Sequence, residues 1–159
     1  MSFVPDSFDV PERLETPQFV IRKLTFADAA LDYEAVSSSL DIIRATRGGL
    51  YGNEEQNLSL TENQISLGWH QREFEYRTSF AYTITTPDGK ECIGCIYIYP
   101  PGYYAEIPAG ADADVSFWVS QKAYDQGLYP VVYGVLDQWL KDVWPFKNIA
   151  YTNKFPPQL

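Results

Sequence analysis

The sequence offers few side chains with chemistry of their own. Cys92 and Cys95 stand in the run ECIGCIYIYP as a C-x-x-C pair, the spacing of thiol oxidoreductases and of one half of many zinc sites. The run itself reads as a strand, in which residues three apart point to opposite faces. Without a second pair or a neighbouring histidine, ordinary packing is the expectation for both thiols. His70 is the only histidine in the chain. A histidine-based metal site is therefore excluded, and a Ser-His-Asp relay would need His70 set against a serine elsewhere in the fold. A solvated or half-buried imidazole is expected. Asp114 is the second residue of the run ADVSFWV and shares a strand face with Ser116 and Trp118; partial burial there would raise its pKa. Gly127 separates that run from an apolar segment of helical period. A strand passing through a glycine turn into a helix N-terminus presents unpaired N–H groups and the positive end of a helix dipole, which together make an anion cradle.

These groups need elements to hold them. Val115, Phe117 and Val119 alternate with Asp114, Ser116 and Trp118, the period of a strand with two different faces. Val132, Val135, Leu136, Trp139, Leu140 and Val143 recur at helical steps, with Pro130 in the first turn and Pro145 as the stop. Lys147 to Thr152 then reads as a short strand.

Upstream, Ser2 to Pro17 carries prolines at positions 5, 11 and 17 and reads as an extended arm. QFVIRKL follows as a strand. Thr25 and Asp28 mark a helix start, with Ala29, Ala30, Tyr33, Val36 and Leu40 as one apolar face. Asp41 to Arg44 extends or restarts that helix before Gly48, Gly49 and Gly52, and the polar segment Asn53 to Ser59 is expected beside an acceptor site. Thr61 with Gln64 suggests a second capping box, and Ile65, Trp69, Arg72 and Tyr76 form a helical stripe. FAYTITTPDGKECIGCIYIYP reads as a hairpin around Pro87-Asp88-Gly89. Pro100 to Ala111 is a Pro/Gly loop with two tyrosines. The order strand, helices, hairpin, strand, helix, strand predicts a single α/β sheet, mixed and mostly antiparallel, flanked by helices.

Composition sets the outer bounds. A chain of 159 residues with 45% hydrophobic content supports one core. Twelve basic against twenty-one acidic residues give a formal charge of −9, which repels nucleic acid and anionic membrane and favours amine or cationic partners. No apolar run approaches the ~18 residues of a membrane span, and the first ten residues lack the pattern of a signal peptide. A cytoplasmic protein is expected.

Three stretches resemble one family. PERLETPQFVIRKLTFADAALDYEAV is similar to the opening of the GCN5-related N-acetyltransferases, with Arg22, Leu24, Asp28 and Ala29 at the positions of an L-R-x-L run and a D-A helix entry. Ile93 and Gly94 match an I-G pair on the third strand. ADVSFWV resembles the AEIGYWV strand of the ribosomal-protein N-acetyltransferase-like branch, which leads into an R/Q-x-x-G-x-G/A loop. In that loop Gly127 matches, while Tyr124 stands where Arg or Gln is usual and Tyr129 where Gly or Ala is usual.

The resemblance covers about Glu12 to Asn153 and implies an acetyl-CoA-dependent N-acetyltransferase acting on a primary amine, either a protein N-terminus or a small amine. It implies that main-chain groups of Trp118 and Val119 bond the pantetheine arm of coenzyme A and that the N–H groups of Gln126, Gly127, Leu128 and Tyr129 meet its pyrophosphate. By the same resemblance Asp114 takes the place of the glutamate that removes the amine proton, with a water relay because it is one methylene shorter, and Asn153 sits where polar coenzyme contacts occur. The family continues past this point with an N-x-x-S-type helix and two more strands. This sequence has Lys154 to Leu159 there, so the expectation is a single domain over residues 18–153 without those last elements and with a bare final strand edge open to a second copy. The other reading is a catalytically inactive relative that uses its cleft, that edge, or the Tyr103-Tyr104 loop for binding.

Overall fold

The computed structural model describes residues 2–47 and 59–154. Among them a six-stranded sheet runs in chain order, β1 (Arg13–Glu15), β2 (Val20–Lys23), β3 (Phe80–Thr85), β4 (Cys92–Tyr99), β5 (Ala113–Val119) and β6 (Ile149–Tyr151). Every neighbouring pair is antiparallel except β5 and β6, which run parallel. Helices α1 (Ala29–Ser37), α2 (Leu40–Arg47) and α3 (Leu60–Glu75) cover one face. The short α4 (Gln121–Asp125) follows β5, and α5 (Leu128–Val143) covers the other face. A parallel pair needs a crossover, and α5 supplies it.

Strand parity decides which core each residue enters. Val115, Phe117 and Val119 join the α5 side with Ile96, Ile98, Val132 and Leu136. Trp118 joins the opposite side with Tyr97, Tyr99, Val36 and Ile43. The α5 side is also knit by aromatic rings: Tyr82 meets Trp139 edge-on at 5.2 Å, and Phe80 meets Trp144 at 5.3 Å. The N-terminal residues belong to this core. Arg13–Glu15 pairs with β2, Val4 is buried, and Phe8 lies 5.2 Å from Trp144.

Several elements depart from the sequence reading. The stripe of Ile65, Trp69 and Tyr76 is the outer face of α3, with those residues 51%, 57% and 66% exposed, while Leu67 and Phe74 are buried. Polar residues take part in the inner face: Asn63 donates to the Ala29 carbonyl and to Asp32. A count of apolar spacing alone therefore selects the wrong side. The helix cap is Ser59, whose hydroxyl accepts from the Glu62 N–H at 3.1 Å, two residues ahead of the expected Thr61. In α5, Tyr129, Val132, Leu136, Trp139 and Leu140 are buried, whereas Val143 is 47% exposed. The polar segment Asn53 to Ser59, expected beside the acceptor, lies outside the described residues apart from Ser59.

The two cysteines also depart from expectation. Ile84 pairs with Gly94 but Thr85 pairs with Cys92, so the register shifts at Ile93. Such a bulge inserts one residue and reverses the parity behind it. Cys92 and Cys95 accordingly enter the same core, under α1. Gly94 is required beside the bulge. A Cβ there would stand 2.1 Å from the Trp118 carbonyl oxygen.

Candidate active site

The first-strand residues matched to the family are structural. Arg22 donates to both carboxylate oxygens of Asp28, at 3.0 and 2.7 Å, and the Thr25 N–H donates to the same carboxylate. This charge-assisted fork ties β2 to the start of α1.

Around β5 the residues of interest divide by strand edge and by sheet face. Main-chain groups of Phe117 face β6: its N–H donates to Asn153 Oδ1 at 2.8 Å and its carbonyl accepts from Asn153 Nδ2 at 2.7 Å. Alternation then points the N–H and C=O of Val119 to that same edge and those of Trp118 toward β4. The approach of a Gly94 Cβ to the Trp118 oxygen agrees with that direction. Of the two residues expected to offer main-chain groups, Val119 is aimed at the gap past β6 and Trp118 is committed to β4. The Trp118 indole donates to the Tyr97 hydroxyl at 3.1 Å.

The turn after β5 is built by Ser120, whose hydroxyl accepts from the Ala123 N–H and caps α4. The N–H groups of Gln126 and Gly127 are consumed inside this turn, donating to Lys122 and Tyr124 carbonyls at 3.1 and 2.9 Å. Gly127 caps α5 at φ 78°, a left-handed conformation that favours glycine. Leu128 and Tyr129 occupy the first turn of this sixteen-residue helix, where N–H groups have no partner within the helix. The expected four-amide cradle thus reduces to Leu128 and Tyr129.

Tyr129 is fully buried and stacks on Phe117 with ring centroids 4.9 Å apart. Its hydroxyl donates to the Lys154 carbonyl at 3.0 Å and accepts from Asn153 Nδ2 at 2.9 Å. Burial pushes its pKa up, opposed by the Asn153 hydrogen bond. Asn153, Tyr129 and Phe117 therefore close the mouth between β5 and β6.

The other face of β5 is polar at depth. Asp114 is buried; its Oδ1 accepts from the Thr152 hydroxyl at 3.0 Å, and its Oδ2 has no hydrogen-bond partner. Burial pushes its pKa up, against the opposing Thr152 hydroxyl, Ala105 N–H and Arg47 charge. Two residues on, the Ser116 hydroxyl accepts from Arg47 Nε at 3.4 Å, and the Arg47 guanidinium lies over the rings of Tyr97 and Tyr104. His70 of α3 lies 5.3 Å from Tyr97, and its Nδ1 is buried without a partner. Burial lowers its pKa to about 4, with Glu73 opposing and Arg47 reinforcing the shift.

Arg47, Ser116 and Thr152 were not singled out by sequence. Arg47 sits at the end of a helix among ordinary charged residues, and only the register of β5 brings it to Asp114. The structure thus gathers Val119, Leu128, Tyr129 and Asn153 around Phe117. Asp114 lies further down the strand, three residues from Phe117 and five from Val119, the latter roughly 17 Å at ~3.3 Å per residue.

A mostly antiparallel sheet with a parallel final pair, joined through a glycine turn and a helix, is a fold this chain shares with solved acetyltransferases. No protein-family model matches the sequence, and no curated protein matches it. Solved structures do. The ribosomal-protein-S5-alanine acetyltransferase from Vibrio fischeri superposes with a TM-score of 0.67 at 12% identity, covering 90% of this chain and 73% of that one. RimL, the ribosomal L7/L12 α-N-protein acetyltransferase solved with coenzyme A, gives 0.60 at 11%, covering 80% and 67%. The microcin C7 self-immunity acetyltransferase MccE, solved with acetyl-CoA and AMP, gives 0.65 at 10%, covering 89% and 73%. Among the described residues no helix is long and apolar enough to cross a membrane.

Proposed function

We propose that this chain is a cytoplasmic acetyl-CoA-dependent N-acetyltransferase whose acceptor is a primary amine, a protein N-terminus or a small amine. The observation that carries the reading is Asp114. It is a solvent-excluded carboxyl with raised pKa and one unpartnered oxygen, on the strand that leads into the α5 N-terminus. RimL and MccE, which share the fold, bind coenzyme A and acetyl-CoA.

The residues fit such a coenzyme in a specific way. The Asn153 carboxamide already bonds both main-chain groups of Phe117, so that strand edge is shaped for an amide, and the pantetheine arm carries amides. Asn153 occupies the place of one until it withdraws. Val119 extends the same edge, and the Leu128 and Tyr129 N–H groups supply the anion-binding helix end.

Bound acetyl-CoA would supply an activated thioester acyl group. Asp114 then does the base work. Thr152 holds Oδ1, which leaves Oδ2 to accept a proton from the acceptor ammonium, directly or through one water. Arg47 beside Ser116 keeps the carboxyl more acidic than burial alone would. The acetyltransferase-like unit expected over residues 18–153 takes in β1 and the N-terminal residues packed on its core as well, and the outer edge of β6 is where a second copy would pair.

A second reading is favoured by the closed mouth at Asn153 and Tyr129: a silent relative that binds without catalysis. Titration calorimetry with acetyl-CoA separates the two. Heat of binding together with transfer to an amine that is lost in Asp114→Asn supports the enzyme, and an absence of heat at millimolar ligand leaves the silent relative.

A further inference from the structure

The bulge at Ile93 gathers three potential metal ligands that the acetyl-transfer reading does not use. The Sγ atoms of Cys92 and Cys95 and a carboxylate oxygen of Asp32 all lie within 4.8 Å of one another, and all three residues are buried. Cys95 Sγ stands 3.0 Å from Asp32 Oδ1, and Asn63 Nδ2 donates to Asp32 Oδ2 at 2.9 Å. Each residue comes from, or is fixed by, a different element: Asp32 from α1, Asn63 from α3, the thiols from β4. A regular strand would have sent the two thiols to opposite faces. Here one bulge turns them together toward a carboxylate set among Val36, Leu67 and Trp118. Bulges are known to re-aim side chains at sites.

We propose that Asp32, Cys92 and Cys95 form a site for one zinc ion, with the fourth position taken by water entering from the cavity at Cys92. The donor set suits zinc, which takes thiolate sulfur at ~2.3 Å and carboxylate oxygen at ~2.0–2.2 Å in tetrahedral geometry. Donors on such a shell are ~3.3–3.8 Å apart, a separation the observed cluster reaches with small side-chain movements. Asn63 acts as the outer partner that orients the carboxylate, the common arrangement behind metal ligands. Cys92 lines a cavity of about 430 Å3 that also touches Ser120 and Gln126, which gives the ion a route.

On binding, each thiol forms a sulfur–zinc bond and releases its proton to solvent, so two protons leave per ion. Two thiolates and one carboxylate carry three negative charges against the two positive charges of zinc. The Arg22 guanidinium lies within electrostatic reach of both thiols and offsets the remainder, while Asp28, its ion-pair partner, faces the same region with opposite sign. The site would staple α1 to β4 beneath the acceptor face.

The test uses the full chain, reduced and stripped of metal, with Co2+ and Zn2+ as probes. The proposal predicts one Co2+ per chain with a sulfur-to-cobalt charge-transfer band and the intense visible bands of tetrahedral cobalt, displaced by Zn2+ in step with a rise in Tm. Cys95→Ser and Asp32→Asn, checked for folding by circular dichroism, should each weaken Zn2+ binding at least about a hundredfold. Asn63→Ala should weaken it about ten- to a hundredfold. Weak octahedral cobalt bands alone, or zinc binding unchanged in folded Asp32→Asn, would overturn it and leave a thiol that merely donates to a buried carboxylate.

Discussion

The two faces of β5 are built from alternate residues of one seven-residue strand, yet they solve opposite problems. On the α5 side Val115, Phe117 and Val119 enter an apolar core in which the Tyr129 hydroxyl and Asn153 amide are paired and the one unpaired side-chain polar atom, among the described residues, is the non-titrating Trp144 Nε1. On the α1–α3 side Asp114, Ser116 and Trp118 meet Arg47, His70 and Tyr97, and two polar atoms stay buried without partners. An unsatisfied buried polar atom is destabilising on either face, but only on the α1–α3 face do the unpaired atoms, Asp114 Oδ2 and His70 Nδ1, belong to groups that exchange protons. The contrast teaches where to look: the α5 face packs apolar side chains, and the α1–α3 face holds the titratable groups on which the proposed chemistry rests.

The largest way to break that comparison is to disturb both faces at once. Gly94→Ala drives a methyl into the Trp118 carbonyl where β4 meets β5. It should cost about 3 kcal/mol or more, since main chain cannot yield as side chains do, and denaturant unfolding would show the loss.

Asp114→Asn acts on the chemical face alone. Acetyl transfer should fall ~10²-fold or more, with acetyl-CoA affinity nearly unchanged because the coenzyme groups lie on the other edge. Its pH profile follows from the raised pKa. The base works only when ionised, so wild-type activity should drop as pH falls through a value above the ordinary carboxylate range. Stability runs the other way: a carboxyl with raised folded pKa favours folding below its unfolded pKa and loses that contribution as pH rises through the folded one. Asp114→Asn should therefore be at least as stable as wild type at neutral pH, with the advantage vanishing below about pH 4.

Tyr129→Phe sharpens the comparison on the α5 face. It keeps the stack on Phe117 and removes only the hydroxyl that links Asn153 to the Lys154 carbonyl. A loss of about 1 kcal/mol is expected, together with several-fold tighter acetyl-CoA binding as Asn153 is freed. Tyr129→Gly is the poorer probe, because it would empty a fully buried site. The smallest effect belongs to Trp69→Ala, on the exposed side of α3, which should change stability by under ~0.5 kcal/mol; a core-sized loss would mean that the stripe faces inward after all.

How much of this could be read from sequence follows from which patterns are local. The alternation of ADVSFWV, the Pro87-Asp88-Gly89 hairpin and the spacing of Val132, Leu136, Trp139 and Leu140 are local, and each element appears where its period places it. The inner face of α3 was hidden because Asn63 and His70 share it, so polarity and burial disagree there. The cysteines were misplaced because a bulge leaves no periodic signal, only a glycine that could equally mark a turn. Arg47 and Thr152 reach Asp114 and Ser116 only through register between distant segments, which no local spacing encodes. Tyr129 was legible as a departure from the Gly or Ala of the family's loop, but its hydroxyl's tie to Asn153 and Lys154 required the parallel pairing of β5 and β6.

The most direct measurement is calorimetric titration of the wild-type chain with acetyl-CoA, followed by mass spectrometry of an amine or peptide acceptor added to the same sample. The account predicts saturable heat with sub-millimolar affinity and an acceptor heavier by one acetyl group, the second signal vanishing in Asp114→Asn while the first persists. A chain that gives no heat at millimolar acetyl-CoA, and leaves the acceptor mass unchanged, would contradict it.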